Sequence, residues 1–163
     1  MDAGGNPFVV SQRDVLDFFA ERLFEVCGDD VGQGPLRAEL LYTASILSHY
    51  ALVSGTSASA LPLASSLREL FDLYVCDPLP QADPELMEAA AAQTLMLTGY
   101  YGAAMERTHS LPTYSTWGQQ FFRKAAVGRR RTLLLSMADH YAPWRDALRQ
   151  LHARFHDDLG IHG

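Results

Sequence analysis

The chain has 163 residues, of which 48% are apolar and 20% charged, and its net charge is −6. This length suits one domain that buries enough surface to fold without disulfides or metals. Its two cysteines, Cys27 and Cys76, exclude a disulfide framework and have no zinc-ligand spacing. The first residues do not resemble a signal peptide. The apolar part of the longest uncharged stretch is too short to span a bilayer. We therefore expect a cytoplasmic protein.

The spacing of apolar residues is helical nearly throughout, and no alternating run predicts a strand. Asp83 and Pro84 form a typical helix start, and Pro143 and the glycines of "GYYG" mark possible kinks. The sequence predicts one all-α bundle of five to six helices over residues 11–159, between a flexible segment 1–10 and a tail 160–163. The predicted helices cover residues 11–27, 36–53, 63–76, 84–109, 114–126 and 130–159.

The second predicted helix, 36–53, has apolar or small residues nearly all the way round. This pattern is typical of a central helix buried on every side. The fourth predicted helix contains "AAAA" at 89–92, which allows close approach of a neighbour. We expect these two helices to pack together at the middle of the bundle. In the first helix, Phe18, Phe19, Leu23 and Phe24 are expected to face inward.

Three histidines occur in the last predicted helix, but their spacing excludes a shared metal site. His140 and His156 point roughly 160° apart on a helical wheel, at about 100° per residue. His152 and His156 are four residues apart, a spacing that can hold a metal, but Arg145 and Arg149 lie on the same face. A di-metal bundle needs the Glu-x-x-His motif twice, and the chain has it once, in "MERTH". We predict no metal and no cofactor.

The pattern around His49 allows two interpretations. No Asp, Glu, Lys or Arg occurs between Leu40 and Leu67. His49 is therefore either a core histidine with satisfied hydrogen bonds or the polar residue of an apolar pocket. If a pocket exists, His140 and Trp144 are expected to face His49 across the bundle. The candidate ligand-binding residues are His49, Tyr50, Tyr100, Trp117, His140 and Trp144.

Basic residues cluster in "FFRKAAVGRRR", within a chain whose charge is uneven. Residues 1–110 carry 5 basic and 15 acidic side chains, net −10, and residues 111–163 carry 8 and 4, net +4. Such a cluster binds an anion, an acidic partner or nucleic acid, or forms a solvated turn. The candidate residues are Arg123, Lys124, Arg129, Arg130 and Arg131.

The sequence has no phosphate loop, Rossmann glycine pattern, nucleophile elbow or His-Glu-x-x-His motif. We expect a non-enzymatic protein that acts through protein–protein interaction in a regulatory or adaptor role, with itself as a partner in a homodimer. The alternative is a bundle that binds a small apolar molecule or cofactor, with or without a reaction, in a pocket near His49 and His140. A weaker alternative is a nucleic-acid-associated regulator that uses the basic cluster at 123–131.

Overall fold

The structure, a computed structural model, describes residues 12–28, 35–56 and 83–158. These ranges contain seven α-helices, one 3-10 turn and no strand, which confirms the expected all-α fold. No helix within them is long and apolar enough to cross a membrane. The helices are α1 (Gln12–Cys27), α2 (Pro35–Thr56), α3 (Pro84–Thr98), α4 (Gly102–Met105), α5 (Leu111–Ala125), α6 (Arg131–Asp139) and α7 (Tyr141–Asp158), with the 3-10 turn at Gly128–Arg130 before α6.

Local signals account for several helix boundaries. The Asp83 carboxylate accepts hydrogen bonds from the backbone N–H groups of Glu85 and Leu86, which confirms the predicted cap of α3. Helix α5 begins three residues earlier than predicted, because "LPT" forms its first turn rather than a preceding loop. The predicted helix 63–76 and the predicted terminal segments lie outside the described residues.

The predicted helix 84–109 is divided into α3 and α4 at Gly99. A Cβ at Gly99 would lie 2.8 Å from the carbonyl oxygen of Leu95 and 3.1 Å from that of Arg145 on α7. The backbone of α3 therefore approaches α7 more closely than a side chain would allow. The chain leaves the helix here, and the Tyr101 N–H bonds back to the Met96 carbonyl at 2.9 Å.

The predicted helix 130–159 is also divided, at His140. Pro143 has no N–H to continue the hydrogen-bond ladder, so the helix is interrupted in the turn before it. Helix α6 ends at Asp139, and α7 begins at Tyr141 with Pro143 in its first turn. The break places His140 at a junction between two helices rather than on a continuous face.

Two helix pairs make the most extensive contacts in the described part of the chain: α3 with α5, and α1 with α2. The predicted pairing of the second and fourth helices is a minor contact between α2 and α3. The expected burial of α2 on every side is also wrong. Leu40, Ala44 and Leu47 are buried, but Leu41 is 42% exposed, because α2 covers the core with one face.

Tyr141 of α7 contacts both α3 and α5. Its side chain is fully buried, and its hydroxyl lies 2.9 Å from that of Thr98 on α3. The Thr98 hydroxyl donates to the Thr94 carbonyl, so the Tyr141 hydroxyl is the donor to Thr98. On α5, Gly118 faces the Tyr141 ring, and a Cβ there would lie 2.5 Å from the Tyr141 hydroxyl. A glycine is required because the ring occupies that space.

Helix α1 buries fewer aromatic residues than expected. Leu23 is fully buried and Phe19 is partly buried, but Phe18 and Phe24 are 44% and 38% exposed. The Phe18 ring stacks on Phe155 of α7, with ring centres 5.9 Å apart. The prediction that their side chains face the core is therefore wrong for Phe18 and Phe24, which lie on the flank of α1.

Candidate functional site

His140 and Trp144 lie on either side of the first turn of α7. His140 caps the end of α6, where its N–H donates to the Ser136 carbonyl at 2.9 Å. The N–H of Trp144 donates to the His140 carbonyl at 3.1 Å, which fixes the two residues relative to one another. Both side chains reach the same residue of α2, Glu39.

The Glu39 carboxylate is buried and binds both side chains. Its side chain is 1% exposed, and its Oε1 lies 2.9 Å from His140 Nδ1 and 2.9 Å from Trp144 Nε1. Its Oε2 lies 3.1 Å from His140 Nδ1. A carboxylate that loses its hydration to this extent requires hydrogen-bond donors. The indole and the imidazole supply these.

A cleft of about 440 Å³ lies in front of this cluster. We call it the α1–α7 cleft. Helix α7 and His140, the residue before it, provide five of the eight described lining residues, and the end of α1 and the start of α2 provide the other three. The described side chains are mainly apolar, with an imidazole, an amide and a thiol among them. The lining residues are Val26, Cys27, Leu36, His140, Pro143, Trp144, Ala147 and Gln150.

His140 joins the buried cluster to the cleft. Its side chain is 45% exposed, whereas that of Glu39 is 1% exposed. One part of the imidazole therefore faces the buried carboxylate, and another part is accessible. Because the carboxylate fixes the orientation of the ring, the cleft presents a positioned polar group on an apolar wall. This arrangement is typical of small-molecule sites.

Cys27 is the last residue of α1 and is half-buried in the cleft. Burial raises the pKa of its thiol. The carbonyl end of a helix carries partial negative charge, which also disfavours a thiolate. Cys27 is therefore a protonated, weakly polar part of the wall, not an activated nucleophile.

Two of the six residues predicted to line a pocket, His140 and Trp144, lie together. The other four do not line the α1–α7 cleft. Tyr50, Tyr100 and Trp117 are partly buried against the core, and Tyr100 packs edge-on against His152 with ring centres 4.8 Å apart.

The structure excludes His49 as a core histidine and as a lining residue of the α1–α7 cleft. With Tyr50, it lines a separate pocket of about 330 Å³ whose lining includes three charged side chains. The His49 side chain is exposed, so it is neither a core histidine nor a partner of His140 across the bundle. The imidazole packs edge-on against Tyr50, with ring centres 5.5 Å apart. The absence of neighbouring charges in the sequence suggested burial, but α2 turns this uncharged face toward solvent.

The predicted basic cluster is partly neutralised within the chain. Arg130 forms a two-pronged ion pair with the Glu88 carboxylate, which also accepts a hydrogen bond from Tyr42 at 2.7 Å. Arg123 lies 3.8 Å from the Asp139 carboxylate. Arg129 and Arg131 are exposed, and Lys124 has an interaction of its own. The cluster is therefore a set of surface ion pairs around a turn more than a continuous basic surface.

Within the described ranges, no group of three or more His, Cys, Asp or Glu side chains is arranged to hold a metal. Glu106 pairs with Arg149, and His109 bonds to the Thr108 hydroxyl at 2.7 Å. His152 and His156 stack with ring centres 5.8 Å apart. Burial and the neighbouring His156 lower the pKa of His152.

Sequence reasoning missed Glu39, the residue on which the site depends. One signal was present: Glu39 is the sole acidic residue between Pro35 and Thr56. It also lies four residues before Thr43, so both are on one helix face, and both are fully buried. A lone carboxylate on the buried face of an apolar helix requires a partner elsewhere in the chain.

The comparisons with known proteins provide no relative. No protein-family model matches this chain, and no match is found among the curated proteins or the solved structures. The proposals below therefore depend on the site itself.

Proposed function

We propose that the protein binds a small, mainly apolar molecule in the α1–α7 cleft, with His140 as its polar contact. One observation carries the proposal: a fully buried carboxylate fixes a half-exposed imidazole on the wall of an apolar cleft. A buried charge costs stability relative to an apolar side chain of similar size. We therefore expect that Glu39 is retained because a functional site requires it.

The size and lining of the cleft support this function. Its volume, about 440 Å³, lies in the range typical of small-molecule sites. Val26, Leu36, Pro143 and Ala147 provide apolar surface, and polar groups are few. The proposal includes no reaction.

The first test is native mass spectrometry of the freshly purified chain, followed by titration with an environment-sensitive naphthalene dye. We expect a bound small molecule, or saturable dye binding with one site per chain. The Gln150→Phe variant adds an aromatic ring at an exposed cleft position and is expected to abolish dye binding. Gln120→Phe makes the same change at an exposed position of α5 outside the cleft and serves as the control. Equal dye binding by both variants would count against the cleft.

A separate surface favours self-association as a second function. Phe24 of α1 and Leu41 of α2 are 38% and 42% exposed and line a shared groove of about 460 Å³. Ala20 and Leu40 also line it, and the charged residues Glu21, Glu25 and Arg37 lie beside them. Apolar side chains rimmed by charges are typical of protein interfaces.

Sedimentation velocity over a range of concentrations tests self-association. We expect a dimer that the double variant Phe24→Ser/Leu41→Ser converts to a monomer. Val127→Ser is the control, because Val127 is 51% exposed and lies outside this groove. A wild-type chain that stays monomeric at every concentration would eliminate this second function and leave the first intact.

A further inference from the structure

The hydrogen bonds of His140 determine which ring nitrogen carries a proton. Glu39 accepts at Nδ1, with Oε1 at 2.9 Å and Oε2 at 3.1 Å. An ionised carboxylate has no proton to donate, so the Nδ1–H of the imidazole is the donor. In the neutral ring, the lone pair is then on Nε2. Among the described residues, His140 bonds through Nδ1 alone.

The ring edge opposite Nδ1 carries Nε2. Because Nδ1 faces the buried carboxylate and the side chain is 45% exposed, this opposite edge is the accessible one. His140 lines the α1–α7 cleft, so Nε2 offers an acceptor there. A carboxylate behind an imidazole also polarises the ring and strengthens Nε2 as an acceptor.

The charges around the cleft restrict the ligand further. No Lys, Arg, Asp or Glu is among the lining residues that the structure describes. At this part of the wall an anionic ligand meets no fixed cation, and the nearest buried charge, Glu39, is itself negative. A cationic ligand meets no exposed carboxylate there. A charged ligand of either sign would lose its hydration in the cleft without gaining a partner of opposite charge, and an uncharged ligand avoids this cost.

We infer that the cleft takes an uncharged, mainly apolar alcohol or phenol whose hydroxyl donates to Nε2 of His140. This inference rests on the proposed function, and it adds the chemical class of the ligand. Its structural basis is the direction of one hydrogen bond, because Glu39 fixes His140 as an acceptor toward the cleft.

Three probes of equal ring size test the class by isothermal titration calorimetry: naphthol, its methyl ether and naphthoate. We expect naphthol to bind roughly tenfold more tightly than the ether, because the ether lacks the donor. Naphthoate is expected to bind most weakly. A naphthol-to-ether ratio near one, or tightest binding of naphthoate, would overturn the inference and leave the binding cleft intact.

Histidine side-chain nitrogen NMR on the wild-type chain gives the tautomer directly. A neutral ring protonated at Nδ1 alone is expected, because Nδ1 faces the Glu39 carboxylate. A proton on Nε2, alone or together with one on Nδ1, would overturn the inference, because Nε2 would then be a donor.

The same titrations distinguish the two proposals. If Gln150→Phe leaves the binding of all three probes unchanged, or if none binds saturably, the cleft does not bind small molecules and both proposals fail. If Gln150→Phe blocks binding and the wild-type probe ratios differ from those expected, the inferred class alone fails.

Discussion

The indole N–H of Trp144 donates to Oε1 of Glu39 at 2.9 Å, although the two residues are 105 positions apart in the chain. The residue Trp144 is 3% exposed and Glu39 is fully buried, so water does not replace this hydrogen bond if it is lost. The pair thus links the start of α2 to the first turn of α7. It also holds the carboxylate that orients His140.

Trp144→Phe is expected to lower the free energy of unfolding by about 1–3 kcal/mol, because a buried carboxylate loses a donor. The same change in a Glu39→Gln background is expected to cost less, because hydrogen bonds to a charged acceptor are stronger than those to an amide. Urea denaturation of the four proteins of this double-mutant cycle measures the difference. Equal costs in both backgrounds would show that the charge of Glu39 adds nothing to this hydrogen bond.

Gly118→Ala is expected to destabilise the chain by about 1–3 kcal/mol, as overpacking of a filled core does. The new Cβ would lie 2.5 Å from the Tyr141 hydroxyl, on a side chain with no exposed surface into which to move. Gly102→Ala is the matched control, since its Cβ would meet nothing closer than 3.7 Å. Thermal unfolding compares the two, and a Gly118→Ala midpoint equal to that of Gly102→Ala would contradict the tight contact.

Acidification is expected to destabilise the chain through His152. Burial and the neighbouring His156 lower the pKa of His152 below its ordinary value of 6.5, so the folded state takes up this proton less readily than the unfolded chain. The contribution of His152 to the free energy of unfolding is constant above pH 6.5 and is lost as the pH falls through the lowered pKa of the folded state.

His152→Gln removes this titration, and we expect a shallower loss of stability on the acidic side of neutrality. Urea midpoints measured at several pH values for the wild type and the variant provide the comparison. Parallel curves for the two proteins would mean that His152 titrates alike in the folded and unfolded states.

Cys27 is expected to react slowly with iodoacetamide near neutral pH, because burial raises the pKa of its thiol and the thiolate is the reactive form. The Cys76→Ser variant isolates this thiol, and an unstructured cysteine peptide gives the reference rate. Naphthol bound in the α1–α7 cleft is expected to slow the reaction further, because Cys27 lines it. A rate equal to that of the peptide would show an open, unperturbed thiol.

Part of the fold was predictable because its signals lie within a few residues of one another. The cap at Asp83 acts on N–H groups two and three residues later, so the sequence alone predicted the start of α3. The breaks at Gly99 and His140 were predictable only as kinks. Whether a glycine bends or ends a helix depends on the neighbour, which at Gly99 is the backbone of α7.

The candidate site was predictable only in its α7 part. His140 and Trp144 were both chosen as lining residues of one pocket, and they are four positions apart, about one helical turn. Their partner Glu39 was missed and His49 was chosen instead, because the direction of each face of α2 depends on which helices pack against it. Helix α1 is the sequence neighbour of α2, but the partners of Glu39 are 101 and 105 positions away.

The sequence by itself determined that the chain is helical and where several helices begin. Apolar spacing, proline and capping side chains act over one or two turns, and a printed sequence shows them. Only the tertiary structure decided that Glu39 is buried beside His140 and Trp144. That contact joins residues 101 and 105 positions apart, and it forms because separate apolar faces meet and enclose a carboxylate that neither segment encloses alone.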